Sequence, residues 1–294
     1  MSSGVQANGR CYRVLALDID NTLVRFPDPV SPRVVRAVRA AVDAGVQVLL
    51  VTGRAYRRAL PVARQLGLAT PLICNHGGVI RDGRDGSILR RATLDRALTS
   101  EIVAWCQEQP IGVILFDGDQ VYRNCTQAQI VPDFHIYTRG PHSHYLPDLL
   151  AHIPAETEVL MATEVEEAFV AQVAERARAR WSPTIRVLYS HPHTVDLMPR
   201  SSKSESLAWL AAQWGVPREE VLAVGDGIND VDFLAWAGTG VAMEDGHPEA
   251  LAAADVVGPR FEQDGVAWVV ERFLLGTSTQ SYTRSSTHPP ASRS

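Results

Sequence analysis

The chain has 294 residues, 46% of them apolar and 21% charged, with a formal net charge of −5 at pH 7, which is room for one large or two moderate domains of ordinary globular composition. Its arginines are scattered, so the clustered basic surface that nucleic acid or anionic lipid requires is missing and neither is an expected partner. No window approaches the 18 unbroken apolar residues of a membrane span, and the first ten residues lack the apolar stretch of a signal peptide. The four cysteines, Cys11, Cys74, Cys106 and Cys125, have no metal-ligand spacing and read as reduced thiols, so the expected location is cytoplasmic.

The elements begin as strand, helix, strand, helix, strand. "RVLALD" is a short apolar strand. "SPRVVRAVRAAVDAG" follows as a helix with Ser31 as N-cap, Pro32 in the first helical position and Gly45 beyond the end. "VQVLLVT" is the second strand. "AYRRALPVARQLG" is a helix that Pro61 should kink or start late. "PLICN" is the third strand. Near-continuous apolar runs joined by helices predict a parallel sheet covered on both faces, with right-handed crossovers.

From about Ile80 to Asp196 the texture changes. "GVIRDGRDGSILRRA" reads as a hairpin turning at 82–86. An amphipathic helix, "DRALTSEIVAWCQEQ", comes next. A second hairpin, "IGVILFDGDQVYRN", turns at Gly118 and Asp119. After the strand "EVLMA" comes the helix "TEVEEAFVAQVAERARAR", for which Thr163 and Glu166 predict a capping box and Val165, Ala168, Phe169 and Val173 a buried face. "TIRVLYS" and "TVDLM" complete an α+β unit. The first texture returns after Ser202: a helix with a Ser202–Glu205 capping box and a Gly215 stop, the strand "VLAVGD", the helix "INDVDFLAWAG", the strand "GVAM", and "PEALAAA", "DVV" and "DGVAWVVERFLL". The expected organisation is therefore an α/β host, residues 1–79 and 197–275, interrupted by an α+β insertion, residues 80–196. The tail, residues 276–294, lacks core-forming residues and is expected to be disordered.

Ligands of an open parallel sheet bind at the C-terminal strand ends, and four segments there carry unusual chemistry: Asp18-Ile19-Asp20-Asn21-Thr22, Thr52-Gly53-Arg54, the helix-start Lys203, and Gly225-Asp226-Gly227-Ile228-Asn229-Asp230. If the strands are neighbours, up to four carboxylates converge. One pair of like charges at ~4 Å repels by about 4 kcal/mol at an effective dielectric of 20, a large share of the ~5–15 kcal/mol that holds a domain together. A cation must compensate, and an all-oxygen donor set suits a hard divalent ion such as Mg²⁺. A hydroxyl at Thr52, a close backbone approach at Gly53 and an ammonium at a helix N-terminus make a phosphate cradle. A carboxylate inside one can attack phosphorus.

In this order, "DIDNT", "TGR", a lone helix-start lysine and "GDGIND" resemble the four motifs of the haloacid dehalogenase (HAD) superfamily. With "CNHGG" after the third strand and "GVAM…PEALAAADVV…DGVAWVV" near the end, the chain resembles the Cof-type branch, subfamily IIB, from about Arg13 to Leu275. The resemblance implies a Rossmann-like parallel-sheet core with an inserted α+β cap, and a Mg²⁺-dependent phosphatase acting on a small phosphorylated metabolite, a sugar phosphate first, as a monomer or homodimer. It implies Asp18 as nucleophile and Asp20 as general acid and base. Thr52, Gly53 and Lys203 would bind phosphate. Asp18, the Asp20 carbonyl and Asp226 would bind metal, with Asn229, Asp230, Arg54 and Asn75 in support. Phosphoryl transfer between sugar positions, or a regulator that binds without turnover, are the alternatives.

The chain departs from that pattern at Asn21 and Ser204, where glycine is frequent, and at Glu244-Asp245-Gly246, whose added acid should weaken anion binding. His76 interrupts an Asn-Gly pair, leaving the backbone at Asn75 open. His135, His142 and His144, beside Arg139, read as a solvated loop of the insertion rather than a metal site. His191 and His193 flank a turn, and the tryptophans on helices read as packing anchors.

Overall fold

A computed structural model describes residues 5–7, 10–25, 28–132 and 135–277. The expected disordered tail therefore lies outside the described residues from 278 onward. The chain divides into two compact units, residues 1–89 with 202–294, and residues 90–201.

The first unit is built on a five-stranded parallel sheet in the order Val256–Gly258, Thr239–Met243, Val221–Gly225, Val14–Leu17, Gln47–Leu50. An isolated parallel bridge between Val51 and Ile73 adds Leu72–Cys74 beyond the last strand. The apolar runs have a direct cause. Leu15, Leu17, Val48, Leu50, Leu222 and Val224 pack on one face with helices Pro32–Asp43, Tyr56–Leu66 and Gly265–Phe273. Their alternating neighbours Val14, Ala16, Leu49, Val51, Val221 and Ala223 pack on the other face with helices Lys203–Gln213, Val231–Trp236 and Pro248–Ala253. Both faces are thus buried, and every residue of Val14–Leu17 is solvent-inaccessible. The two sequence-distant halves join at the centre of the sheet, where Val14–Leu17 pairs in parallel with Val221–Val224.

Ser31 caps the first helix by accepting from the Val34 N–H, with Pro32 following it. Pro61 lies inside the second helix, which nevertheless starts at Tyr56 rather than late. Ser202 accepts from the Glu205 N–H at 3.0 Å and so starts the helix that carries Lys203.

The second unit is a six-stranded, mostly antiparallel sheet ordered Ser143–Tyr145, Gln120–Arg123, Gly112–Asp117, Val159–Thr163, Thr194–Met198, Arg186–His191. Helices Arg96–Gln107 and Glu167–Trp181 cover one face through Ile102, Val103, Leu115, Leu160, Val173 and Leu197. The other face gathers Ile114, Phe116, Met161, Leu188 and Met198 with Cys125 and Ile130 of the following loop.

Three sequence expectations change. The division falls at 89/90 and 201/202 rather than at 79/80 and 196/197. Strand Val79–Arg81 pairs with Leu72–Cys74, which keeps the first arm of that hairpin with the α/β unit, and Thr194–Met198 runs to its end as a strand of the inserted sheet. The expected capping box at Thr163 does not form. Thr163 is buried as a strand residue opposite Thr194 and Gly112, and the helix begins at Glu167 without a side-chain cap. The later start rotates the buried face to Val170, Val173, Ala174, Ala177 and Trp181, leaving Val165 and Ala168 exposed.

Candidate active site

The site is built at the C-terminal ends of the central strands of the first unit. Strand Val14–Leu17 delivers Asp18, whose N–H donates to the Val224 carbonyl at 3.0 Å. The chain turns at once, with Asn21 in the left-handed region at φ 58°, a conformation that asparagine and glycine adopt at least cost. That accounts for asparagine at a position where glycine would also fit. Asp18 is buried and Asp20 is exposed.

Lys203 is the organising cation. Its side chain is fully buried, and Nζ donates to Asp18 Oδ1 at 2.6 Å and to Asp230 Oδ1 at 2.5 Å. The second oxygen of Asp230 accepts from the Asp226 N–H at 2.9 Å and the Gly227 N–H at 2.8 Å. This fold-back needs Gly225. A Cβ there would lie 2.7 Å from the Asp230 carboxyl carbon. Thr22 donates to Asp226 Oδ1 at 2.6 Å. Ser204, in the first turn of the Lys203 helix, donates through both its N–H and its hydroxyl to Asp232 at 3.1 Å.

Carboxylate oxygens of Asp18, Asp226 and Asp230 lie within 4.8 Å of one another. Three carboxylates against one ammonium leave an excess of negative charge in a largely buried site. Burial, then the charge of Asp230, pushes Asp18 well above the usual carboxylate range although Lys203 pulls the other way. Asp226 is pushed up to about 7, again by burial first and Asp230 second, against the lowering bond from Thr22. Burial would depress Lys203, but Asp18 and Asp230 outweigh it and hold its ammonium above the ordinary lysine value. An all-oxygen cluster of three carboxylates, more negative than its one ammonium can balance, is the donor set that suits a hard divalent cation.

Of the sequence-predicted residues, Asp18, Lys203, Asp226 and Asp230 converge directly. Asp230 stands in the carboxylate cluster itself. The Asp20 side chain does not. It is gripped by Arg54, with Nη2 at 2.5 Å and Nε at 2.9 and 3.1 Å from its oxygens. Thr52 is fully buried, and its hydroxyl accepts from the Arg54 N–H at 3.1 Å, closing the turn around Gly53. Asn75 and His76 both have positive φ, at 49° and 54°, and their N–H groups donate to the Arg54 and Thr52 carbonyls. Asn229 Nδ2 lies 3.4 Å from His76 Nδ1.

The departures resolve in physical terms. Glu244 pairs with Arg260 at 3.3 Å, and Asp245 pairs with Arg25 at 3.0 Å and accepts from the Phe261 N–H. Their charge is largely spent on these partners, although Asp245 contributes a minor upward push on Asp226. His135 is held by the Gln127 and Ile130 carbonyls and by Arg139, which makes it a loop brace. Thr22 and Asp232 are site-shaping residues given no role in the sequence expectation. Their signal was position alone, two residues beyond Asp20 and Asp230.

The sequence matches the haloacid dehalogenase-like hydrolase family over residues 15–270. The chain belongs to that family. Among relatives of this HAD-like hydrolase, Phosphatase YwpJ of Bacillus subtilis is 26% identical over 89% of the chain and 100% of the relative. Pyridoxal phosphate phosphatase YbhA of Escherichia coli is 27% identical over 90% and 99%. The solved structure of the HAD subclass IIB sugar phosphatase BT4131 shares the fold, with a TM-score of 0.77 at 19% identity, covering 90% of this chain and 100% of that one. The HAD-like hydrolase thus shares the fold of that structure, a Rossmann-like core with an inserted unit. Among its described residues no helix is long and apolar enough to cross a membrane.

Proposed function

We propose that this HAD-like hydrolase is a Mg²⁺-dependent phosphatase that hydrolyses a small phosphorylated metabolite through an aspartyl-phosphate on Asp18. The observation that carries the reading is the fully buried Lys203 bridging Asp18 and Asp230 beside Asp226. A lone ammonium at the start of a helix, set against three carboxylates, is a site built to receive both a dication and an anion. Asp18 and Asp226 with the Asp20 carbonyl would hold Mg²⁺, and Asp230 would orient Lys203 and the Asp226 backbone. When bound, the ion supplies charge that lowers both raised carboxyls and stabilises the phosphoryl oxygens.

Asp18 attacks phosphorus and the ester P–O bond breaks. The leaving alkoxide takes a proton from Asp20. Water, deprotonated by Asp20, then attacks the phosphoaspartate; the P–O bond to Asp18 breaks, inorganic phosphate leaves, and Asp20 is protonated again. Thr52, the Gly53 backbone and Lys203 bind the phosphoryl oxygens. Arg54 holds the Asp20 side chain away from Asp18 in the resting chain, so the acid step needs that pair to open. An incoming phosphate is the natural competitor for the guanidinium. A sugar phosphate is the first substrate class, supported by the sugar phosphatase among the structural neighbours. A phosphorylated cofactor follows, as in the pyridoxal phosphate phosphatase among the relatives.

The test is release of inorganic phosphate from p-nitrophenyl phosphate and a panel of sugar and cofactor phosphates, with Mg²⁺ or with EDTA. Phosphate should appear stoichiometrically with substrate loss and only with the metal. Substrate loss without phosphate release would point to transfer between sugar positions. Undiminished turnover in EDTA would end the metal reading.

A further inference from the structure

His76, which the sequence presents as an interruption, stands at a junction of three chain segments. Its N–H donates to the Thr52 carbonyl at 3.1 Å, and the Asn75 N–H donates to the Arg54 carbonyl at 3.0 Å, so the turn grips the chain on either side of Gly53. The next residue, Gly77, accepts from the Ser206 hydroxyl at 2.6 Å, which ties the same turn to the helix that carries Lys203. The imidazole fills the space a side chain at Gly53 would need. A Cβ on Gly53 would meet ring atoms Cε1, Nε2 and Nδ1 at 2.4, 2.8 and 2.9 Å. On its Nδ1 edge the ring meets Asn229 Nδ2 at 3.4 Å. An amide nitrogen only donates, so Nδ1 is the acceptor. The residue is 7% exposed, and it holds φ 54° although it has a Cβ. Such a conformation persists where the surroundings dictate it.

We infer that His76 is a positioning residue for anion binding. Its ring sets the height of the Gly53 backbone and the orientation of Asn229, and its turn locks the Thr52–Arg54 loop to the start of the Lys203 helix. The role does not involve contact with substrate. The inference deepens the phosphatase reading and rests on it only for its kinetic consequence.

Two measurements separate the two. In thermal unfolding, Gly53→Ala should lower Tm by several degrees in the native background and clearly less in His76→Ala, because the colliding ring is gone. In calorimetric titration with inorganic phosphate in Mg²⁺ buffer, His76→Ala should weaken binding by about tenfold, the scale of a lost orienting contact. His76→Asn, whose amide oxygen can accept from Asn229, should restore most of it. With substrate the loss should fall on KM more than on kcat. Equal cost of Gly53→Ala in both backgrounds, or phosphate affinity unchanged in His76→Ala, would overturn the inference. A wild-type protein that binds phosphate in the His76-dependent way but releases none from any ester would uphold the positioning role and sink the phosphatase reading.

Discussion

Replacing Lys203 with methionine tests whether the carboxylates depend on a single buried cation. The side chain is 0% exposed, and its Nζ contacts Asp18 at 2.6 Å and Asp230 at 2.5 Å. Methionine fills much of the volume but leaves three carboxylates facing one another. Deleting one partner of a buried ion pair costs about 3–5 kcal/mol because the remaining charge is uncompensated, about a fifth or more of a typical domain's stability of ~5–15 kcal/mol. The cost should depend on pH in a definite direction. Asp18 and Asp226 have folded values above their ordinary 3.8, Asp226 at about 7. A raised carboxyl binds its proton more tightly folded than unfolded, so acid stabilises the folded chain relative to base. The Lys203→Met penalty should therefore be full at pH 8 and shrink toward pH 5, where the carboxyls take up protons. Urea denaturation in EDTA at the two pH values measures it, and several millimolar Mg²⁺ at pH 8 should narrow the gap. Equal stability of variant and wild type at pH 8 in EDTA, or a penalty that grows in acid, would refute the account of Lys203 as the charge that quenches this site.

The same linkage predicts that the metal-free wild type loses stability as pH rises from about 4 to about 7. For Asp226, the shift from 3.8 to about 7 bounds the loss at about 4 kcal/mol, and a series of thermal melts with and without Mg²⁺ checks both the slope and its disappearance with metal. Asp18→Asn should fold yet lose p-nitrophenyl phosphate hydrolysis by at least about 10³-fold, as expected when the covalent nucleophile goes; steady-state rates with Mg²⁺ decide it. Thr22→Val removes the 2.6 Å bond to Asp226 and should raise that carboxyl further and weaken Mg²⁺ by about tenfold, read from the metal dependence of activity. Arg54→Ala should free Asp20 and lower affinity for phosphate more than it lowers Tm, since the pair is half exposed on the Asp20 side, as inhibition by inorganic phosphate would report.

Much of this protein was legible in one dimension. Local chemistry marks the apolar runs at Val14–Leu17 and Val221–Gly225, the Ser31-Pro32 and Ser202 helix starts, and the turn at Gly118, because strand burial, caps and turns are decided by residues within a few positions of one another. The same runs show where the chain leaves the sheet, and hence that Asp18, Thr52 and Asp226 sit at strand ends. What failed locally did so for nonlocal reasons. Thr163 has the sequence of a helix cap but pairs across the sheet with Thr194 and Gly112, and that pairing delays the helix and rotates its buried face.

Only the tertiary structure decided which carboxylate joins which. Asp20 is two residues from Asp18, yet its side chain turns outward to Arg54, while Asp230, more than two hundred residues away, folds back over Gly225 to share Lys203 with Asp18. The acid at Glu244 and Asp245 reads as a threat to an anion until Arg260 and Arg25 are seen beside it. Charge is long-ranged and indifferent to chain order. The residue types on the chain therefore determined that cations and anions would have to meet, and the packing of distant segments determined which ones do.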